Sequence, residues 1–334
     1  MKQNEGTKAV EDKQLNMNSR WKRFTKAYSS QISMFFAVAV IFIVISISSK
    51  YFLTSANLSN LGVAMSTYGL LGAGLTVCML LGGIDLSQMS VMAVSGMVIG
   101  LMVNNGVSIW LAMLMAPVLG IACGAINGLI ITRMKIVPMI ATIGTMMAFR
   151  AVAYLMTNGS KMKINDPVLD EIGFGHFLGI PIMLWVMLVS YVVVFFFLKY
   201  TSTGRSVYAI GSNPTASYLS GIKINKIKMI SYIISGFASG IASILFTSQM
   251  RTSVPAAGSG NEFIPIASVI MGGVGLGGGK GNIIGTFLGV VLLAIFSNAM
   301  ILLNIQVFYQ QLLNGVILIL AVFIDTVRSG GYKL

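Results

Sequence analysis

Residues 107–135 read VSIWLAMLMAPVLGIACGAINGLIITRMK, an apolar run that closes on Arg133 and Lys135. A helix of about 20 apolar residues spans a hydrocarbon core about 30 Å thick, and cations at one end mark the side on which it stops. The same figure repeats along the chain. Long apolar runs are separated by short loops, and nearly all Lys and Arg falls in alternate loops. Only 9% of the 334 residues are charged and 56% are hydrophobic. A soluble domain carries about 25% charge, so lipid is the solvent here. The fold class is all-α, a polytopic membrane protein.

Apolar runs predict about ten transmembrane helices, near 32–49, 58–81, 88–104, 107–131, 137–157, 180–198, 229–249, 263–277, 282–303 and 307–324. Counting crossings tests the number. The tail carries Lys2, Lys8, Lys13, Arg20, Lys22, Arg23 and Lys26, which places it in the cytosol. Four crossings later come Arg133 and Lys135. Two more lead to Lys199, Arg205, Lys223, Lys226 and Lys228. The next inner loop holds Lys280, and the C-terminus holds Arg328 and Lys333. Seventeen of the 22 basic residues thus lie inside, with Lys50, Lys161, Lys163 and Arg251 outside and Arg150 within a span. An odd helix count breaks this alternation. Both termini are expected in the cytosol, with a basic tail over 1–30, a transmembrane domain over 31–325 and a second tail over 326–334.

The net charge of +13 suits an anionic membrane surface. It is spread over several loops with no basic module of its own, which excludes nucleic acid as a partner. Cys78 and Cys123 lie inside apolar runs and read as small buried hydrophobes. No cluster has the spacing of metal ligands. The outer loop 158–179 mixes Lys161, Lys163, Asp166, Asp170, Glu171 and His176. It reads as a solvated loop or as a docking surface for an external partner.

The long inner loop, 199–228, contains a local helix signal. Asn213 suits an N-cap, Pro214 the first helical position and Gly221 the left-handed residue past the end. A helix of about two turns over 213–221 is expected on the cytosolic face, where a rigid element can transmit force from a soluble partner.

Charged groups inside a membrane are costly and need a reason. Asp85 lies in Gly82-Gly83-Ile84-Asp85-Leu86-Ser87, between the second and third spans. It reads as a helix N-cap helped by Ser87, a role compatible with gating. Arg150 reads as a bridge to carbonyls or a carboxylate, and Glu262 as a marker of the outer water boundary. The third and eighth spans are short and bordered by Gly pairs, a pattern of broken helices around a transport path. Glycines recur at every fourth position in three stripes, Gly120-Gly124-Gly128, Gly236-Gly240 and Gly277-Gly281-Gly285-Gly289, which lets helix backbones approach closely.

Two nucleotide motifs fail. Gly273-Val274-Gly275-Leu276-Gly277-Gly278 fits a dinucleotide fingerprint by letters but lacks its strand–helix–strand context. A phosphate-binding loop needs Gly at 274 and Ser or Thr at 281, where the chain has Val274 and Gly281. No nucleophile lies near a base, so nothing supports an enzyme or a catalytic residue.

Four segments in order resemble the ribose-type sugar permeases of bacterial ABC importers, in the branched-chain amino acid and ribose permease superfamily. They are Leu81-Gly82-Gly83-Ile84-Asp85-Leu86-Ser87; Ala141-Thr142-Ile143-Gly144-Thr145-Met146 with Arg150 and Thr157-Asn158-Gly159; Thr203-Gly204-Arg205 through Ala209-Ile210-Gly211-Ser212-Asn213 to Leu219-Ser220-Gly221-Ile222; and Glu262 through Met271-Gly272-Gly273 to Gly278-Gly279-Lys280-Gly281. The resemblance covers roughly 35–325. Met89 and Ala151 stand where that family usually has Gly, and Ile264-Pro265 where it has Asp-Ala.

The resemblance implies a permease of the cell membrane that moves a monosaccharide or related small polar solute by ATP-driven alternating access. It implies a second permease subunit, a cytosolic ABC ATPase that holds ATP and Mg, and an extracytoplasmic solute-binding protein, with no cofactor in this chain. Gly204, Arg205, Tyr208, Gly211, Asn213, Ala216 and Gly221 would shape the ATPase contact. Asp85, Ser87, Thr142, Arg150 and Glu262 would line or gate the path. The rival reading is a secondary transporter driven by an ion gradient, with Asp85 or Glu262 carrying the proton. A third is a non-transporting membrane scaffold.

Overall fold

A computed structural model describes residues 29–328. Most of the two predicted tails, residues 1–28 and 329–334, lies outside the described residues. Among those described, thirteen helices follow in order: α1 (Ser29–Ser48), α2 (Ser55–Leu80), α3 (Gln88–Asn104), α4 (Ile109–Arg133), α5 (Pro138–Leu155), α6 (Pro167–Phe174), α7 (Ile182–Tyr200), α8 (Ser202–Ser212), α9 (Pro214–Leu219), α10 (Ile224–Met250), α11 (Phe263–Met271), α12 (Ile283–Leu302) and α13 (Val307–Arg328). A helix overlaps each of the ten expected segments. Seven of them, α1, α2, α4, α5, α7, α10 and α12, contain 18 or more residues apolar enough to cross a membrane, while α3 and Val307–Phe323 of α13 are shorter apolar helices. The chain is an all-α polytopic membrane protein.

Local chemistry sets the helix ends. Asn282 accepts the amide of Gly285 at 2.9 Å to open α12, and Asp166 accepts that of Val168 at 2.8 Å to open α6. Pro138, Pro167 and Pro214 each stand in a first helical turn, where no amide hydrogen is needed. The eighth segment departs from expectation. Its helix stops at Met271 because Gly272-Gly273 ends it, with Gly273 at φ 87°. Residues 272–282 then run as turns through Gly278, Gly279 and Gly281, all at positive φ. The 199–228 segment departs too. It folds into two helices, α8 as well as the expected short one, and α10 starts early enough to include Lys226 and Lys228.

The 158–179 loop is more ordered than a solvated connection. Met162–Lys163 (β1) pairs antiparallel with Thr252–Ser253 (β4), and His176–Phe177 (β2) with Ile180–Pro181 (β3). Ile164 and Leu169 are buried beneath it. The Arg251 Nε donates to Asp170 at 2.7 Å, and the His176 Nε2 lies 2.9 Å from the Ser59 hydroxyl.

The helices α2 and α10 form the centre. Every residue of α2 from Gly69 to Leu80 is buried, and α10 packs on α2, α3 and α4. Two glycine stripes meet at the α4–α10 seam. A Cβ on Gly120 would strike the carbonyl of Gly236, one on Gly124 the carbonyl of Tyr232, and one on Gly240 the carbonyl of Ala116. The third stripe divides. Gly285 and Gly289 press α12 on Ser268 of α11 and on Gly272 just past its end, whereas Gly277 and Gly281 belong to the non-helical turn. We expect Gly120→Leu to separate α4 from α10. Overpacking of this kind costs about 1–3 kcal/mol or more, and thermal unfolding of the detergent-solubilised chain, followed by size-exclusion chromatography, should shift to lower temperature.

Candidate functional site

Two helix interruptions meet inside the bundle. The α2 helix ends at Leu80, and residues 81–87 run without helix before α3 begins at Gln88. This segment turns back along α2: the Gln88 side-chain amide donates to the Leu71 carbonyl at 3.0 Å. Leu71 lies nine residues before the end of α2, or about 14 Å at 1.5 Å per residue. The start of α3 is therefore sunk well into the bundle. The other interruption, 272–282, touches it. The Gly279 amide donates to the Leu80 carbonyl at 2.8 Å, and a Cβ on Gly82 would crowd the carbonyl of Gly277.

Asp85 sits within this break and is buried. It is not the N-cap, a position held by Ser87 without a side-chain cap bond. One carboxylate oxygen accepts the Ser87 hydroxyl at 2.6 Å and amide at 3.0 Å. The other accepts the Ser235 hydroxyl at 2.6 Å. Among the described residues no cation pairs with it. The network continues outward from Asp85. Asn127 donates to the Ser87 hydroxyl at 2.7 Å and accepts from Thr145 at 2.6 Å. Gln88 donates to Ser235 at 2.9 Å. The hydroxyl of Thr142 contacts the Ile84 carbonyl at 3.1 Å. Asp85, Ser87 and Thr142 are thus brought together, and the network ties α3, α4, α5 and α10 to one point.

Gln88, Asn127, Thr145 and Ser235 were not foreseen. One signal was available for Ser235. It belongs to a stripe on α10, Ser231, Ser235, Ser239 and Ser243, spaced by four and buried throughout.

Arg150 and Glu262 form a separate cluster. Arg150 lies eight residues past Thr142 on α5, about 12 Å further along the helix. Its Nη1 donates to the carbonyls of Pro255 at 2.9 Å and Ala257 at 2.7 Å, and its Nη2 stands 3.7 Å from the Glu262 carboxylate. The reading of Arg150 as a bridge to carbonyls and a carboxylate is what the geometry shows. It clamps the segment between α10 and α11 onto α5. Met89, where the resembled family usually has Gly, is buried against Gly258 of that same segment.

The remaining candidates lie together on α8 and α9, with Gly221 just past their end. Thr201 caps α8 by accepting the Gly204 amide at 2.9 Å, and Gly204 lets the helix fold back on the carbonyls of Phe197 and Leu198. Arg205 is exposed and donates to the Tyr200 carbonyl at 3.3 Å. Tyr208 packs into the core beside Ile210, where burial pushes its phenol above the ordinary range and keeps it protonated. A Cβ on Gly211 would strike both the Leu80 carbonyl and the Gly279 amide. The end of α8 therefore rests on the junction of the two breaks. Asn213 accepts the Ala216 amide at 2.9 Å and caps α9. Gly221, at φ 79°, has open space around its Cβ position. At the tip of α9, Tyr218 and Leu219 are 71% and 80% exposed.

The sequence compares directly with known proteins. A family model described as the permease component of branched-chain amino acid transport systems matches residues 57–322. The ribose import permease protein RbsC of Escherichia coli (strain K12) is 35% identical over 310 residues, covering 92% of this chain and 97% of that one. RbsC of Bacillus subtilis (strain 168) is 35% identical over 301 residues, covering 90% and 94%. The L-arabinose transport system permease protein AraH of Escherichia coli (strain K12) is 35% identical over 299 residues, covering 90% and 91%. No solved structure matches the chain.

Two outcomes follow from the geometry. Ser235→Ala removes a donor from a buried carboxylate and an acceptor from Gln88, a loss of about 1–3 kcal/mol, read as a lower unfolding temperature in detergent. Arg150→Met frees the carbonyls of Pro255 and Ala257. Hydrogen–deuterium exchange over 254–262 should rise by about tenfold or more, since charged hydrogen bonds are worth about 1.5–3 kcal/mol each.

Proposed function

This chain belongs to the permease components of branched-chain amino acid transport systems, as multi-pass membrane subunits and not enzymes, and we propose that within that family it serves an ABC importer of a monosaccharide or related small polar solute. The names of the ribose and L-arabinose permeases support the solute class. The mechanism is ATP-driven alternating access. ATP and Mg are held by a separate cytosolic ATPase, a solute-binding protein delivers the solute from outside, and a second permease subunit completes the path.

The observation that carries this reading is the seat of α8 on the two helix breaks. The exposed tip of α9, with Tyr218 and Leu219, has the character of a docking knob for a soluble partner. A push on α9 passes to α8, and at Gly211 it reaches Leu80 and Gly279 together. From Leu80 the chain leads directly to Asp85, Ser87 and the start of α3. From Gly279 it leads to α12. One small displacement is thereby delivered to both interrupted segments, with Asp85, Ser87 and Thr142 holding the inner gate and Arg150 with Glu262 holding the segment before α11. On this reading the end bearing Arg133, Lys199, Arg205 and Lys280 faces the cytosol.

The test is uptake of D-ribose and L-arabinose by proteoliposomes holding the chain with its ATPase and binding protein. Uptake should require ATP. Uptake that persists without ATP and collapses with the proton gradient would replace this mechanism with a secondary transporter. Leu219→Ser should weaken ATPase association by about tenfold, the size of one buried apolar anchor, as measured by pull-down from detergent. A cysteine at 219 should react with an impermeant thiol reagent only from the cytosolic side.

A further inference from the structure

A cavity of about 130 Å3 opens between the start of α11, α12 and α13. Its polar lining is Asn261, Gln311 and Asn314, and Phe263 stands at its edge. Gln311 and Asn314 are three residues apart on α13 and share a helix face. Gln311 is exposed and Asn261 and Asn314 are half-buried, and among the described residues no hydrogen bond within the chain occupies their side-chain amides. The neighbouring Gln310 does, donating to the Ile305 carbonyl at 2.9 Å.

Hydrocarbon offers nothing for an amide to bond, and unsatisfied polar groups do not persist against lipid tails. The converging amides therefore face something polar. No charged side chain lines the cavity, so the occupant is neutral. An amide presents both a donor and an acceptor, as does a hydroxyl, and the half-exposed ring of Phe263 offers an apolar face to the C–H side of a sugar ring. Such a mixture of an apolar wall with a few placed polar groups is the usual make-up of a small-molecule site. We propose that Asn261, Gln311 and Asn314, with Phe263, form a subsite of the translocation path that binds a neutral polyhydroxylated solute of about pentose size. This rests on the solute-transport reading above and adds its contact residues. The subsite is also tied to the clamp on 254–262. Asn261 directly precedes Glu262, so release of Arg150 would withdraw one of the three amides.

The experiment uses the full chain in proteoliposomes with its ATPase and binding protein. Gln311→Cys and Asn314→Cys should react with a charged, membrane-impermeant methanethiosulfonate at least about tenfold faster than Leu320→Cys on the outer face of α13, because thiolate reactivity needs water. The native Cys78 and Cys123 are buried and supply the unreactive background. Saturating D-ribose should slow the reaction at 314. Equal rates at 311, 314 and 320 would overturn the proposal, whether lipid or a second copy of the chain covers the face. The second variant is Gly315→Leu. A Cβ there meets nothing within 4 Å, so the helix tolerates it while the side chain fills the cavity. Uptake of D-ribose should fall about tenfold, the worth of one or two lost hydrogen bonds, with unchanged recovery of folded protein. Wild-type uptake from Gly315→Leu would overturn the solute role. If the wild-type assembly carries neither D-ribose nor L-arabinose, the functional reading fails separately, and the reactivity contrast still decides whether the cavity is wet.

Discussion

The hydrogen bond from the Gly279 amide to the Leu80 carbonyl joins the two places where the helical backbone gives way. A helix that stops inside a membrane leaves carbonyls and amides that hydrocarbon cannot satisfy, so interrupted helices survive only where protein supplies the partners. Here each break serves the other. The end of α2 offers the carbonyl, the turn after α11 offers the amide, and Gly82, Gly278 and Gly279 allow the two backbones to touch. No side chain fits between them, and the end of α8 reaches the same spot only because residue 211 is Gly.

Burial makes the polar groups around the break expensive to leave and effective when paired. Asp85 accepts three hydrogen bonds and, among the described residues, faces no cation. Ser235 ties it to α10 directly, and through the Ser87 hydroxyl it reaches Asn127 of α4 and then Thr145 of α5, so the network fixes where those helices stand relative to α3. A low local dielectric strengthens each of these bonds and raises the penalty for breaking any one. Arg150 works differently. Its guanidinium ties an irregular stretch between α10 and α11 to a regular helix, chiefly through backbone carbonyls. One cluster secures a helix start, the other a connecting segment, and they lie about 12 Å apart along α5.

This division gives a mechanical reading of the bundle. The α4–α10 seam, closed by glycine against backbone, behaves as a rigid spine because no flexible side chain lies in it. The interrupted segments are held by hydrogen bonds and turns, which exchange partners more readily than packed helices slide. Motion is thus expected at 81–87 and 272–282, next to α8, with α4 and α10 as the frame. The cavity lined by Asn261, Gln311 and Asn314 sits beside α11, the short helix whose two ends are both irregular.

Much of the fold was legible in the chain. Hydrophobic runs and alternating basic loops marked a helix at each of ten segments, because solvent partitioning acts on every residue independently of its distant neighbours. The Asn213–Pro214 start and Gly221 end of α9 were legible for a similar reason, since capping is local chemistry. Gly120-Gly124-Gly128 and Gly236-Gly240 announced close contact but not that each was the other's partner. The stripe through Gly277 divides between a turn and α12, because a spacing of four says nothing about whether the chain is helical there. Within the site, Asp85, Arg150 and Glu262 stood out because charge in an apolar run is visible in one dimension. Ser235, Asn127 and Gln88 did not, since Ser and amides are common in such runs. The cavity at Asn261, Gln311 and Asn314 was invisible for the same reason. The sequence by itself determined which segments form apolar helices and where its charges must be explained. Only the tertiary structure decided which polar groups pair with one another, because hydrogen bonding depends on separations of about 3 Å between residues up to 241 positions apart.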